Sequence, residues 1–100
     1  DYLLTQNPKK SQIHACIAEQ QTHGRGRLKK TWHSPTDCNI YLSVAVKIDI
    51  APNSLSGISL AMALATCTAI EKNIALPAPL QVKWPNDIYY ANQKLAGLLL

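Results

Sequence analysis

The most regular hydrophobic pattern in this chain is an alternation between residues 40 and 50. Large apolar residues occupy every second position of this segment, namely Ile40, Leu42, Val44, Val46, Ile48 and Ile50. A period of two is typical of a β-strand with one apolar and one more polar face. Shorter apolar runs predict a strand over residues 14–19 and another over residues 80–84.

A helical pattern follows the alternating strand. Residues 55–73 are rich in Ala, and their larger apolar side chains fall on more than one helical face. We therefore predict a helix that is capped by Asn53 or Ser54 and ends near Asn73. Because its apolar residues are spread around the helix, it should be largely buried and packed on a sheet.

The last part of the chain predicts a hairpin. Residues 88–91 and 94–100 have the pattern of strands on either side of Asn92 and Gln93, and Asn tolerates the positive φ of a tight turn. The predicted element order is thus strand, loop, strand, helix, strand and hairpin. One long helix with several strands indicates an α+β fold with a mixed or antiparallel β-sheet.

A long polar segment, residues 20–39, separates the first two predicted strands. It contains two glycines and a proline and predicts a loop of about twenty residues. Loops of this length in compact domains are usually functional or disordered. Since residues 23–30 have few apolar side chains to bury, we expect them to be mobile without a ligand.

Composition narrows the class of protein. The chain is 47% hydrophobic and 16% charged, which excludes a low-complexity disordered chain. No apolar run approaches the ~20 residues of a membrane-spanning helix, so no membrane partner is expected. The net charge of +4 favours an anionic partner, whether nucleic acid, nucleotide or carboxylate. Neither the three cysteines nor the three histidines have metal-binding spacing, so we predict no metal site and a reducing, cytoplasmic location. Cys16 and Cys67 lie in apolar stretches and are expected to be buried.

Both ends of the chain are expected to be incomplete. It starts at Asp1 without a Met, and it stops in an apolar run of three leucines, residues 98–100. An exposed apolar run of this kind needs partner atoms to cover it. We therefore expect residues 1–100 to be a piece of a longer domain.

The long loop carries four of the ten basic residues of the chain within six positions. Alternating glycines permit positive φ and bring backbone N–H groups close to an anion, while Arg and Lys add positive charge. This combination suits a phosphate or an acyl phosphate, although a solvated basic loop or an RNA contact also fits. The cluster comprises Gly24, Arg25, Gly26, Arg27, Lys29, Lys30 and Trp32.

A second candidate lies where a predicted strand meets a turn. Lys83 is on the opposite strand face from Val82 and Trp84, so it should face away from the helix and could reach a carboxylate or phosphate oxygen. A surface lysine before an ordinary Pro-Asn-Asp turn is the alternative. Gly97 lies inside a predicted strand, which indicates a bulge or the close approach of a ligand. Lys94 begins that strand beside the hairpin turn and should be solvated.

Four segments of the chain together carry a family resemblance: ACIAEQQTHGRGRLKKTWHSP, NIYLSVAV, VKWPNDIYY and KLAGLL. In this order they closely resemble a biotin–protein ligase, and the GRGR and KWPND motifs together are highly specific for that family. The resemblance implies a mixed β-sheet packed with helices, in an α+β fold related to class II aminoacyl-tRNA synthetases and lipoate ligases. It covers the N-terminal half of a typical catalytic domain, so residues 1–100 alone are expected to be inactive.

The resemblance also implies an ATP-dependent ligase reaction. Such a ligase activates biotin with ATP, which gives biotinyl-5′-AMP and pyrophosphate, and then transfers biotin to a lysine of a carboxylase carrier domain. The implied ligands are biotin, ATP and the Mg²⁺ that accompanies ATP, and the implied protein partner is the carrier domain. Nucleic acid is a partner only if a winged helix lies upstream, as in the family members that also repress transcription.

The family's functional positions fall on particular residues of this chain. Arg27 and Lys83 match the catalytic cations, which hold the biotin carboxylate and the acyl phosphate. Gln21 matches a contact to the ureido ring, and Gly24 and Arg25 match backbone contacts to biotin. The full substrate-binding set that the resemblance implies is Gln21, Gly24, Arg25, Gly26, Arg27, Trp32, Lys83 and Gly97.

The basic loop departs from the family pattern in one place. The family often has a Gly and an Arg where Leu28, Lys29, Lys30 and Thr31 stand here. Trp32 still matches the aromatic residue around which the loop orders on the adenylate. The alternatives are a lipoate or octanoate ligase of the same fold, whose Arg-Arg and Gly-Gly-Gly signature is absent, and an inactive fragment acting as a binding module.

Overall fold

The described part of the chain contains two small β-sheets and one α-helix. The structure is a computed structural model that describes residues 2–51, 55 and 57–100. Its main elements in chain order are β1 (Ile13–Ala18), β2 (Tyr41–Val46), α1 (Ile58–Asn73), β3 (Gln81–Lys83), β4 (Asp87–Tyr90) and β5 (Gln93–Gly97). This order confirms the predicted α+β class. Within the described residues, no helix is long and apolar enough to cross a membrane.

The chain divides into two compact units, Asp1–Ile50 and Ala51–Leu100. In the first unit β1 and β2 pair antiparallel, from Ile13 opposite Val46 to Ala18 opposite Tyr41. The strand predicted to reach residue 50 ends at Val46. The reason is the length of its partner: β1 begins at Ile13, so β1 has no residue left to pair beyond Val46.

The alternation predicted for β2 is present, but its apolar face is not buried. Ile17 pairs with Leu42 on this face, and the two side chains are 72% and 57% exposed. Val44 on the same face is 50% exposed. Tyr41, which begins β2 on the more polar face, is only 8% exposed. In β2, the buried side chain is therefore the tyrosine next to the long loop, and the alternating apolar side chains remain exposed.

Helix α1 opens the second unit. It begins at Ile58, directly after Gly57, whose φ of 87° lies in the left-handed region that favours glycine. The predicted caps, Asn53 and Ser54, lie outside the described residues. The predicted end at Asn73 is confirmed, and there the Ile74 N–H donates to the Ile70 carbonyl at 2.8 Å.

The three-stranded antiparallel sheet β3–β4–β5 packs on this helix. Ala63 and Cys67 of α1 form the core with Ile88, which has no exposed surface, and partly buried residues such as Val82 and Ala96 surround them. The expectation that α1 is largely buried is wrong: of its residues only Ala63 and Cys67 are buried, and Leu64 is 54% exposed. A sheet on one side of a helix covers one stripe of it.

The β4–β5 hairpin differs from its prediction by one residue. The turn falls at Ala91 and Asn92, which have φ of 47° and 63°, rather than at Asn92 and Gln93. The bulge anticipated at Gly97 lies instead at Leu95, because the pairing shifts register between Ile88 and Tyr89 of β4. Gly97 itself pairs regularly with Asp87.

The three cysteines are free thiols in different surroundings. Cys67 is buried as predicted, and burial raises the pKa of its thiol, with a smaller contribution from the Glu71 carboxylate one turn along the helix. Cys67 therefore packs as a small neutral side chain. Cys16, also expected to be buried, is half-buried, and Cys38 is exposed.

We predict that Ile88→Ala in the intact protein lowers the free energy of unfolding by about 2–5 kcal/mol, because it leaves a cavity beneath α1. Urea denaturation measures the loss. The control is Leu95→Ala in the neighbouring strand, where the side chain is 53% exposed and the change should stay within about 0.5 kcal/mol. Equal effects of the two substitutions would contradict the assigned core.

Candidate functional site

The basic loop between β1 and β2 closes into a small hairpin. The Trp32 N–H donates to the Gly24 carbonyl at 2.9 Å. Arg25 and Thr31 form an antiparallel bridge immediately inside this bond. The backbone thus holds the start of the GRGR segment beside Trp32, although the sequence predicted only a long loop.

The tip of this hairpin is a tight turn. The Gly26 N–H donates to the Lys30 carbonyl at 2.7 Å, and Arg27–Lys29 forms a short 3₁₀ turn between them. The residues with positive φ are Leu28 at 55° and Lys29 at 60°. The expectation of positive φ at the loop glycines is wrong, because neither of them has it.

Gly24 is required for a different reason, which is space. A Cβ atom at this position would lie 2.6 Å from the Trp32 carbonyl oxygen and 2.7 Å from Ser34 Oγ. Ser34 is only 8% exposed, and its hydroxyl donates to Gln21 Oε1 at 3.1 Å. We call these four residues, Gln21, Gly24, Trp32 and Ser34, the loop node. Sequence reasoning missed Ser34, since a serine before a proline carries no signal of burial.

Tyr41 anchors the end of the loop at the start of β2. Its hydroxyl donates to the Pro35 carbonyl at 2.8 Å and accepts from Asn39 Nδ2 at 3.0 Å. Sequence reasoning missed this role as well. The available signal was position, because Tyr41 is the aromatic residue of its strand and lies two positions after the polar loop.

The hairpin that begins at the loop node carries its positive charges at the surface. All four basic side chains of the hairpin are exposed: Arg25, Arg27, Lys29 and Lys30. The loop node, in which Gly24 and Ser34 are buried, lies at the base of the hairpin, and the charges lie along its arms and tip. Such an arrangement attracts anions, and arginine can bind carboxylate or phosphate with two parallel hydrogen bonds.

A second group of candidate residues lies on the β3–β4–β5 sheet. Lys83, Asp87 and Gly97 form one row across the three strands. Val82, the neighbour of Lys83, packs with the core beneath α1, so strand alternation directs Lys83 to the opposite face. The prediction that Lys83 faces away from the helix is confirmed, and its side chain is exposed.

The surroundings of Lys83 include an ion pair that the sequence did not predict. Lys94 is exposed as expected, and its Nζ atom also lies 2.7 Å from Asp87 Oδ1. The Lys83 ammonium lies 4.9 Å from the centroid of the Tyr89 ring. In the adjoining turn, Asn86 Nδ2 donates to the Leu98 carbonyl at 2.7 Å and fixes the turn to the sheet.

No group of three His, Cys, Asp or Glu side chains within residues 2–51, 55 and 57–100 could hold a metal ion. The Asp87 carboxylate is engaged by Lys94. His23 Nδ1 lies 3.1 Å from Thr22 Oγ1, a contact within the loop itself.

The eight predicted site residues fall into two sets. In the first unit, Gln21, Gly24 and Trp32 meet in the loop node, and Arg25, Gly26 and Arg27 continue from it to the tip. In the second unit, Lys83 and Gly97 share the row through Asp87. That all eight contact one ligand stays a prediction.

A protein-family model matches residues 2–100, and its description is the biotin/lipoate A/B protein ligase family. The chain belongs to this family. Its members have a fold like that of class II aminoacyl-tRNA synthetases, which is the α+β class observed here.

Curated relatives support the same membership. The bifunctional ligase/repressor BirA of Escherichia coli K12 is 38% identical over 99 residues, covering 99% of this chain and 30% of the relative. The biotin–[acetyl-CoA-carboxylase] ligase of Mycobacterium tuberculosis is 41% identical over 85 residues, covering 83% of this chain and 32% of the relative. The human biotin–protein ligase is 31% identical over 105 residues, all of this chain but 14% of the relative. The chain thus spans about a third or less of the length of these proteins.

We predict that Gly24→Ala disrupts the loop node, because its Cβ would collide with the Trp32 carbonyl and Ser34 Oγ. The loss of stability should be about 1–3 kcal/mol, and trypsin should cleave faster after the loop's arginines and lysines. Timed proteolysis and thermal unfolding of the intact protein measure both.

The matched control is Gly26→Ala, two residues along the same loop. There the nearest atom to an added Cβ is the Lys30 carbonyl oxygen at 3.5 Å, an ordinary contact, and φ is −102°. This variant should behave like the wild type. Equal cleavage rates for the two variants would show that the node does not hold the loop.

Proposed function

We propose that the protein containing this chain is a biotin–protein ligase. It activates biotin with ATP to biotinyl-5′-AMP and transfers the biotin to a lysine of a carboxylase carrier domain. The observation that carries the proposal is the similarity to relatives named as biotin ligases, which extends over 100% of this chain in the human protein. Both the GRGR and the KWPND motifs lie within that span.

The first step brings two anions together. An oxygen of the biotin carboxylate attacks the α-phosphorus of ATP, the new P–O bond forms, and the bond to the β-phosphate bridging oxygen breaks to release pyrophosphate. Preorganised cations lower the barrier to such a step because they meet the charge that develops. We assign this role to Arg27, on the exposed tip of the loop, and to Lys83, on the face of its sheet opposite α1.

The basic loop has the further role of closing over the adenylate. Gln21, Gly24, Arg25 and Gly26 are proposed to line biotin, and Trp32 to order beside the adenylate. Water would otherwise hydrolyse the mixed anhydride, so exclusion of solvent protects it. In the second step the neutral amine of the carrier lysine attacks the acyl carbon; the C–N bond forms, AMP leaves and the amine loses a proton.

The remaining parts of the proposal concern context. Residues 1–100 form the N-terminal half of the catalytic domain, and Gly97 lets the strand approach the ligand closely. Mg²⁺ enters with ATP as part of the nucleotide substrate. The free thiols of all three cysteines support a cytoplasmic location. Binding of nucleic acid is proposed only for a protein with a winged helix upstream.

We predict biotin-dependent exchange of labelled pyrophosphate into ATP by the intact protein. The family description names both biotin and lipoate ligases, so lipoate and octanoate are the competing substrates to compare. Exchange with biotin alone is the expected result, and exchange with lipoate or octanoate alone would overturn the proposal. Residues 1–100, assayed beside the intact protein, are expected to give no exchange.

We also predict that Lys83→Ala reduces the rate of adenylation by about 10²–10³, as expected for a preorganised cation at developing charge. The control is Lys72→Ala, an exposed lysine in the last turn of α1, which should leave the rate unchanged. Single-turnover formation of biotinyl-5′-AMP measures the step directly. A Lys83→Ala enzyme as fast as the control would remove Lys83 from the site.

A further inference from the structure

The Lys83 ammonium rests on an aromatic ring rather than on a carboxylate. Its Nζ atom lies 4.9 Å from the centroid of Tyr89, within the roughly 6 Å over which a cation is attracted to a ring face. The pairing of β3 with β4 explains the contact. Lys83 is opposite Asp87 and Gln81 is opposite Tyr89, so Tyr89 is the diagonal neighbour of Lys83 on the sheet face opposite α1.

The carboxylate that faces Lys83 in the register is already engaged. Asp87 Oδ1 lies 2.7 Å from Lys94 Nζ, and the two side chains are 22% and 36% exposed. Lys94 lies directly opposite Tyr89 on β5, so Asp87 is drawn toward the far side of β4 from Lys83. A carboxylate paired with Lys83 would compete with any anionic ligand for the ammonium, and Lys94 reduces this competition.

We propose that Tyr89 is a positioning residue for Lys83, with its ring holding the ammonium ready for an anion. A ring face attracts a cation without carrying net charge, so the ammonium keeps its full charge for a ligand. It also restricts a long, flexible side chain that would otherwise lose rotamer freedom on binding. The identity of the anion, the biotin carboxylate or the acyl phosphate, rests on the proposed function. The contact between Lys83 and Tyr89 does not depend on that function.

The alternative role for Tyr89 is cross-strand packing alone. Packing depends on the size and shape of the side chain, whereas attraction of a cation depends on the electron density of the ring face. Stepwise fluorination of phenylalanine weakens that attraction while nearly preserving the shape. A series of fluorinated phenylalanines at position 89 therefore separates the two roles, even if a smaller side chain there prevents folding.

The contact can be measured without any ligand. In NMR spectra of the intact protein, the ε-CH₂ protons of Lys83, identified by their loss in Lys83→Arg, should be shifted upfield by the Tyr89 ring current. The shift should remain in Tyr89→Phe and disappear in Tyr89→Leu. The matched control is Tyr90→Leu, which removes the neighbouring tyrosine from the opposite face of β4 and should leave the shift in place. An unshifted Lys83 signal in the wild type overturns the proposal.

The functional test uses biotin-dependent pyrophosphate exchange. Tyr89→Leu should lower kcat/KM roughly two- to fivefold, Tyr89→Phe should restore it, and each added fluorine should lower it further. In a Lys83→Ala background, Tyr89→Leu should have no additional effect. A loss that persists without Lys83, or a flat fluorine series, overturns the positioning role. Absence of exchange in the wild type would instead overturn the proposed function, and the NMR result would still decide the role of Tyr89.

Discussion

The packing of Ile88 beneath helix α1 is the contact on which the second unit depends. Because Ile88 is fully buried against Ala63 and Cys67, its neighbours in β4 must lie on the other face of the sheet. Asp87 and Tyr89 are those neighbours, and the register carries Lys83 to the same side. An apolar contact thus determines the sheet face on which the charged side chains lie. A shift of one residue in the β3–β4 pairing would direct Lys83 toward the helix.

In the first unit, too, uncharged groups fix the positions of charged side chains, here in a loop instead of a sheet. Its charged side chains are at the surface, but uncharged groups set their positions: the missing side chain of Gly24, the hydroxyl of Ser34 and the phenol of Tyr41. Electrostatic attraction can tolerate the exchange of one basic residue for another. The close approach at Gly24 cannot tolerate added atoms. The loop departs from the family pattern at its tip, where the basic side chains are exposed, and not at Gly24.

Local patterns in the sequence predicted the parts of the structure that depend on local physics. The start of β2, the end of α1 and the face of Lys83 all follow from alternation or helical periodicity within a few residues. The early end of β2 could not be predicted this way, because it depends on where β1 begins. The Asp87–Lys94 pair likewise depends on a register shift at Leu95, and the burial of Ser34 depends on a backbone approach from Gly24.

The contact at Gly24 also has a genetic consequence. Every single-base change in a glycine codon that alters the amino acid introduces a side chain with a Cβ atom. At Gly24 each such change meets the same carbonyl and hydroxyl oxygens, whatever the new residue is. Every missense variant at Gly24 is therefore expected to disrupt the loop node at least as much as Gly24→Ala does, whereas an added Cβ at Gly26, two positions away, makes only an ordinary contact.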